Sequence, residues 1–288
     1  MHFAVIANPA AGITTAAEKA EILAAPAQIL GARVYGLDTG SADELAVCAR
    51  ELTQRHDVVV VAGGDGTFSD VMNAIADVHP TLAYLPLGSG NALHRALGMG
   101  GNLVRGAQRI VGGQTRPLDL IRCDGRRLAF MASVGLDATV LRLLSAGPRA
   151  RRRRLRDYAG ATVRAYFKEY RRSRVSFAVD DTHTVADRLL NLAVVKQPYY
   201  GFGLKMVPRA RFDDGQLHLL CFESGVLGVM AGVVGALATG NRIGRFYSGR
   251  RASLEFETPQ EFQSDGDWRW KAKRFRFEIA PQALNVRC

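Results

Sequence analysis

Cysteine is scarce: Cys48, Cys123, Cys221 and Cys288 stand far apart in a chain of 288 residues. No two have the spacing of a metal-binding pair, and they do not form the framework of a small disulfide-rich domain, so reduced thiols are expected. Long apolar runs are also lacking. The longest, Val226–Ala238, is too short and too glycine-rich to span a bilayer, and an integral membrane protein is not expected. The opening MHFAVIANPAAG has no basic stretch ahead of its apolar run and reads as a first strand rather than a signal peptide. There is no internal repeat and no long disordered tract. No Gly-Lys-Ser/Thr follows a glycine run, and GxGxxG spacing is missing, so neither a Walker loop nor a dinucleotide fingerprint is present. The six histidines show no metal or triad spacing.

Negative charge is the minority sign, with 27 acids against 38 lysines and arginines and a net charge of +11. The excess is concentrated. From Arg149 to Arg174 there are ten arginines and one lysine against only Asp157 and Glu169. Such a patch suits an anionic partner. No nucleic-acid motif accompanies the arginines, so nucleic acid is not the expected partner. Leu155, Tyr158, Ala159, Thr162, Val163, Tyr166 and Tyr170 approximate a helical stripe over about 153–171, with Arg156, Arg164, Lys168 and Arg171 largely off it. Basic residues beside tyrosines suit a helix lying on an anionic membrane surface. A solvated helix with one packed face explains the pattern equally well.

What is plentiful is hydrophobic material, 48% of the chain, enough for a sizeable core. The first 118 residues alternate strand and helix signals: FAVIAN, a helical stretch from about Thr15 to Leu30 with an interruption expected at Pro26, ARVYGL, SADELAVCAREL with Ser41 as N-cap, DVVVVA, TFSDVMNAIADV, LAYLPL and NALHRAL. This alternation predicts an α/β domain with a largely parallel sheet and functional loops at strand C-termini. Residues 119–288 read instead as mainly β, a sandwich, interrupted by the basic helix. The extreme C-terminus is expected to pack back on the first domain.

Two glycine loops sit where a predicted strand feeds a predicted helix: Gly63-Gly64-Asp65-Gly66-Thr67 and Gly88-Ser89-Gly90-Asn91. A third polar loop, Asn8–Gly12, follows the first strand. Backbone amides in such loops can cradle phosphate oxygens, helped by the helix dipole. Three of them together point to a nucleotide phosphate site. Asp-Gly is also an ordinary turn signal, the reading adopted for Asp124-Gly125.

In order along the chain stand NPAAG, GGDGTFSDVMNAI, PLGSGNALHRAL, RPLDL, SVGLDATV, YYGFGLKMVPRARFDDGQLHLL and SDGD. With these motifs the chain resembles the diacylglycerol kinase catalytic-domain family, which includes bacterial diacylglycerol and phosphatidylglycerol kinases, sphingosine kinases and ceramide kinases. GGDGT alone is shared with NAD kinases and phosphofructokinases; the ordered set carries the resemblance. It implies an ATP- and Mg-dependent lipid kinase, cytoplasmic and peripherally attached to a membrane through Arg149–Arg174, and compatible with a homodimer. By the same resemblance Asn8, Thr39, Gly63, Gly64, Asp65, Gly66, Thr67, Gly88, Ser89 and Asn91 bind the nucleotide. Asp65, Asp265, Asp267 and Asp119 are the catalytic acids, and Asp65 is also a candidate ligand of the catalytic magnesium. The family's structural magnesium site falls at Asp214, although Arg211 stands where a further ligand is expected. The last acid of SDGD is Asp rather than Glu, which leaves the roles of Asp265 and Asp267 open. Asn91-Ala92 resembles the sphingosine kinase version of its loop. The alternatives are a soluble NAD kinase-like enzyme and a non-catalytic lipid- or nucleotide-binding module.

Overall fold

The computed structural model describes residues 1–12, 14–88, 90–146 and 155–288; Ser89, Arg149 and residues 151–154 of the basic segment lie outside the described residues. The chain divides into two compact units, Met1–Leu118 with Gln282–Cys288, and Asp119–Pro281.

The first unit contains β1 (Phe3–Ala7), α1 (Ala16–Leu30), β2 (Val34–Tyr35), α2 (Ala42–Arg55), β3 (Val58–Gly63), α3 (Asp65–Ala74), β4 (Thr81–Pro86), α4 (Ala92–Ala96) and α5 (Leu103–Gly112). The strands run parallel in the order β2-β1-β3-β4. Beyond β4 the chain's last strand adds in parallel, with Asn285 opposite Thr81 and Val286 opposite Leu82. Every residue of β1 and β3 is buried, as a parallel sheet covered on both faces requires. Helix α1 starts at a capping box. Thr15 accepts from the Glu18 amide, and the Glu18 carboxylate accepts from the Thr15 amide. It runs unbroken through Pro26 to a left-handed cap at Gly31. The proline removes one backbone donor, but the buried face of Leu23, Ala27 and Leu30 holds the helix together.

The second unit is antiparallel. Strand β5 (Thr115–Cys123) leads into it, followed by β6 (Arg127–Ala129), β7 (Met131–Gly135), α6 (Leu136–Ser145), α7 (Leu155–Arg164), β8 (Ser173–Val179), β9 (Thr182–Leu189), β10 (Asn191–Val195), β11 (Leu217–Phe222), α8 (Val226–Ala238), β12 (Arg245–Gly249), β13 (Arg251–Ser264) and β14 (Asp267–Arg287). One path runs β12-β11-β10-β7-β13, while β9 and β8 pair along the other half of β13. The two halves of β13 are separated by a register shift against β14 between Glu255 and Gln260. A bulge of this kind bends a strand, so one strand serves both layers of the sandwich. Between them lies a core that includes Val134, Phe177, Leu192, Leu219, Leu254, Phe262, Phe275 and Phe277. Within the expected basic helix, α7 continues as a π turn from Ala165 to Glu169, and Tyr170 is extended. No helix among the described residues is long and apolar enough to cross a membrane.

Candidate active site

Because β1, β3 and β4 are parallel neighbours, their C-terminal ends share one edge of the sheet. The loops that begin at Asn8, Gly64 and Leu87 therefore gather in the first unit. Gly64 is the N-cap of α3, and the first amides of a helix have no acceptor within it. The glycines here are required by contact. A Cβ on Gly88 would lie 2.6 Å from the Gly64 Cα, and one on Gly63 would meet the Thr67 side chain at 2.7 Å. The two glycine loops thus touch backbone to backbone.

Asp65 ties these loops together. Its Oδ2 accepts from the Ala92 amide at 2.8 Å, and its Oδ1 from the Leu93 amide at 3.2 Å and the Tyr84 hydroxyl at 3.4 Å. Burial pushes the Asp65 carboxyl above the ordinary carboxylate range, and the hydrogen bonds from Ala92, Leu93 and Tyr84 oppose that rise. The same burial, reinforced by Asp65, drives the Tyr84 phenol well above its ordinary value. Two of the first amides of α4 are therefore given to Asp65, whereas the N-cap of α3, Gly64, makes no side-chain cap. Asn91 supports the second loop from a left-handed conformation (φ 45°), donating its side-chain amide to Gly88 O at 2.6 Å.

The first loop is steadied from beneath. Asn8 accepts the Ala10 amide at 2.8 Å, and its own amide reaches Thr67 Oγ1 at 3.5 Å. The fully buried Lys19 donates to Asn8 O at 2.9 Å and to Pro9 O at 2.7 Å. Burial lowers the pKa of this lysine. Thr39, past the end of β2, turns its hydroxyl onto Gly36 O at 2.7 Å.

The SDGD stretch forms the β13–β14 hairpin in the second unit. Ser264 pairs with Asp267, and Asp265 (φ 53°) and Gly266 (φ 89°) make the two-residue connection. Positive φ at both positions is what a type I′ hairpin demands, and Asp-Gly meets that demand. The two acids differ in environment. Asp265 has no exposed surface, and its Oδ1 accepts from the Phe130 amide at 3.1 Å and the Met131 amide at 3.0 Å. The Asp267 side chain is 37% exposed, with its Oδ2 3.7 Å from Arg269 Nη2. A hydrogen-bonded series holds the turn. The Gly266 amide donates to Gln263 Oε1 (3.2 Å), Gln263 Nε2 to Ser133 Oγ (2.7 Å), and Ser133 Oγ to Asp137 Oδ2 (2.6 Å). Trp268 donates to Glu261, and Trp270 packs on Phe262 with ring centroids 4.3 Å apart, so both indoles have structural partners.

Asp119 and Asp214, expected to serve separate purposes, meet at one residue, Lys196. The Lys196 ammonium lies 2.6 Å from Asp214 Oδ1, 2.6 Å from Gln216 O and 3.4 Å from Asp119 Oδ2. Asp119 also accepts the Gly215 amide at 2.8 Å, and Asp214 Oδ2 lies 2.6 Å from His218 Nε2. Burial works to raise the Asp214 pKa, but the bonds from Lys196, His218 and the Gln216 amide outweigh it and hold the carboxyl below the usual range. Arg211 pairs with Asp213 at 3.0 Å rather than joining this group. At Asp214, where the resemblance implies a structural magnesium ion, the structure places the Lys196 ammonium among the surrounding oxygens. Among the described residues no three His, Cys, Asp or Glu side chains converge as a metal-binding set.

Lys19, Tyr84, Lys196 and Gln263 were not singled out by sequence reasoning. Lys19 could have been found, because it falls on the helical stripe of Leu23, Ala27 and Leu30, where a lysine must find a buried partner. Lys196 stands directly after the apolar run of β10, a weaker signal of the same kind.

Residues 2–123 match the family described as Diacylglycerol kinase catalytic domain, and residues 131–288 match the YegS C-terminal NAD kinase beta sandwich-like domain. A diacylglycerol kinase of Staphylococcus saprophyticus is 25% identical over 78% of this chain and 75% of its own length. A protein of Pectobacterium atrosepticum, named as a YegS-like lipid kinase, is 28% identical over 81% of this chain and 78% of its own. The crystal structure of a diacylglycerol kinase from Bacillus anthracis superposes with a TM-score of 0.75 over 99% of this chain and 96% of that one, at 21% identity.

Proposed function

The chain belongs to the family that joins a diacylglycerol kinase catalytic domain to a YegS C-terminal NAD kinase beta sandwich-like domain, it is a kinase, and we propose that it transfers the γ-phosphate of Mg·ATP to a hydroxyl of a membrane lipid. The observation that carries this reading is the gathering of three loops at one edge of the parallel sheet, with Gly64 and Gly88 in backbone contact. The α3 N-terminus supplies amides and a favourable dipole for the phosphates. Magnesium enters as part of the nucleotide substrate, bridging and neutralising phosphate charge.

Phosphoryl transfer depends on positioning and charge neutralisation more than on covalent chemistry. The residues of this chain divide that work. Asp65 and Lys19 fix the phosphate loops. Asp267, the partly exposed acid of the hairpin, accepts the proton of the attacking lipid hydroxyl. Asp265 fixes the turn that presents Asp267. Attachment to an anionic, cytoplasm-facing membrane surface is supported by Val163 and Phe167, 59% and 72% exposed beside Arg164 and Lys168.

The deciding experiment incubates the full chain with radiolabelled ATP, magnesium and detergent-dispersed diacylglycerol, phosphatidylglycerol, sphingosine or ceramide, with NAD as a further acceptor. Label in at least one lipid is expected; label in NAD alone, or in no acceptor, refutes the reading. Sedimentation with anionic vesicles checks the surface, where Phe167→Glu should reduce binding. Unchanged sedimentation would remove the membrane from the proposal.

A further inference from the structure

The loop that joins Phe212 to Leu217 carries its own cation. Lys196 directly follows the strand β10 and has no exposed surface. Its ammonium points at Asp214 Oδ1 and Gln216 O, each at 2.6 Å, with Asp119 Oδ2 at 3.4 Å. Two carboxylates and a backbone carbonyl form a hard-oxygen set of the kind that binds magnesium or calcium. Asp119 is anchored by the Gly215 amide and by its own amide to Phe212 O at 2.8 Å, so these oxygens are held in place around the nitrogen.

We propose that the Lys196 ammonium takes the place of a divalent ion in this loop, and that the second unit folds and stays folded without one. The reasoning is steric and electrostatic. Magnesium sits about 2.1 Å and calcium about 2.3–2.6 Å from ligand oxygens. An ion held among Asp214 Oδ1, Gln216 O and Asp119 Oδ2 would compete with the ammonium for the same oxygens. Lys196 would have to leave, and a fully buried lysine without oxygens to receive it is strongly disfavoured. The ammonium instead neutralises part of the charge of Asp119 and Asp214. It joins three separate pieces of chain: the strand at Asp119, the end of β10 and the 212–217 loop. This assignment does not rest on the kinase reading, and it concerns no ion that accompanies a nucleotide.

The test uses the full chain without nucleotide. Wild-type protein treated with EDTA and the same protein in excess Mg²⁺ or Ca²⁺ should melt at the same temperature, and Mn²⁺ paramagnetic resonance should show no tightly held ion. In Lys196→Ala the two carboxylates face an unneutralised gap. This variant should melt lower, recover part of the loss as Mg²⁺ or Ca²⁺ is added, and bind Mn²⁺. If Lys196→Ala does not fold, Lys196→Asn, which retains a hydrogen-bond donor, takes its place. The proposal is overturned if EDTA destabilises the wild type and magnesium restores it, if the wild type holds one divalent ion per chain, or if the folded variant ignores every divalent ion.

Discussion

Replacing Asp265 and Asp267 one at a time should separate folding from catalysis within a single hairpin. Asp265→Ala leaves the Phe130 and Met131 amides, bonded at 3.1 and 3.0 Å, without their carboxylate in a place with no exposed surface. Each buried amide left unsatisfied costs about 1–3 kcal/mol. Alanine must also adopt φ near 53°, which adds about 1–2 kcal/mol for a residue without a locally bonding side chain. The loss should total about 3–5 kcal/mol, allowing for partial relaxation. At roughly 2–4 °C per kcal/mol for a unit of this size, melting should fall by about 10 °C. Asp265→Asn keeps an oxygen and tolerates the backbone angle, so it should lose less than half as much. Asp267→Asn removes a carboxylate that is 37% exposed and whose ion pair with Arg269 is long, at 3.7 Å, so stability should change by no more than about 0.5 kcal/mol. Its turnover should nevertheless fall by about 10²–10⁴. Urea unfolding and labelled-phosphate transfer to the best lipid acceptor measure the two effects. An Asp265→Ala protein as stable as wild type, or an Asp267→Asn enzyme with normal turnover, would refute the division of roles.

Two further outcomes follow from the first unit. Lys19→Met removes both bonds to the Asn8–Pro9 carbonyls and should raise the KM for ATP about tenfold while leaving the lipid KM unchanged; unaltered nucleotide kinetics would free the first loop from the lysine. For Asp65 the sign of the pH effect is set by its raised pKa, whose largest cause is burial. The folded chain keeps this proton to higher pH than the unfolded chain, whose carboxyl titrates near 3.8. The contribution of Asp65 to stability therefore declines as pH rises from that value through the raised folded pKa, then levels. Asp65→Asn should lack this decline. Parallel stability–pH curves for the two proteins would show that Asp65 does not carry the shift.

Much of the architecture was legible because it is written locally. The apolar runs Val58–Ala62 and Leu82–Leu85 become neighbouring parallel strands, and Ser41 and Thr15 cap helices where the expected patterns place helix starts. The glycine loops were legible for the same reason, since glycine before a helix marks a place where backbone must come close or turn. Pro26 is an instance of local grammar overruled, because the buried face of α1 outweighs one missing donor.

By itself, then, the sequence determined the two kinds of domain, the strand-end loops and the set of acids worth considering. These follow from periodicity and backbone conformation, which neighbouring residues settle among themselves. The work of each acid was decided only by tertiary structure. Asp65 caps α4, Asp119 and Asp214 share the Lys196 ammonium, Asp265 is buried under two backbone amides, and Asp267 is left partly exposed. Those partners are remote along the chain. A carboxylate's burial, charge and hydrogen bonds depend on what packs around it, so residues of one type and one motif acquire different chemistry only when the chain has folded.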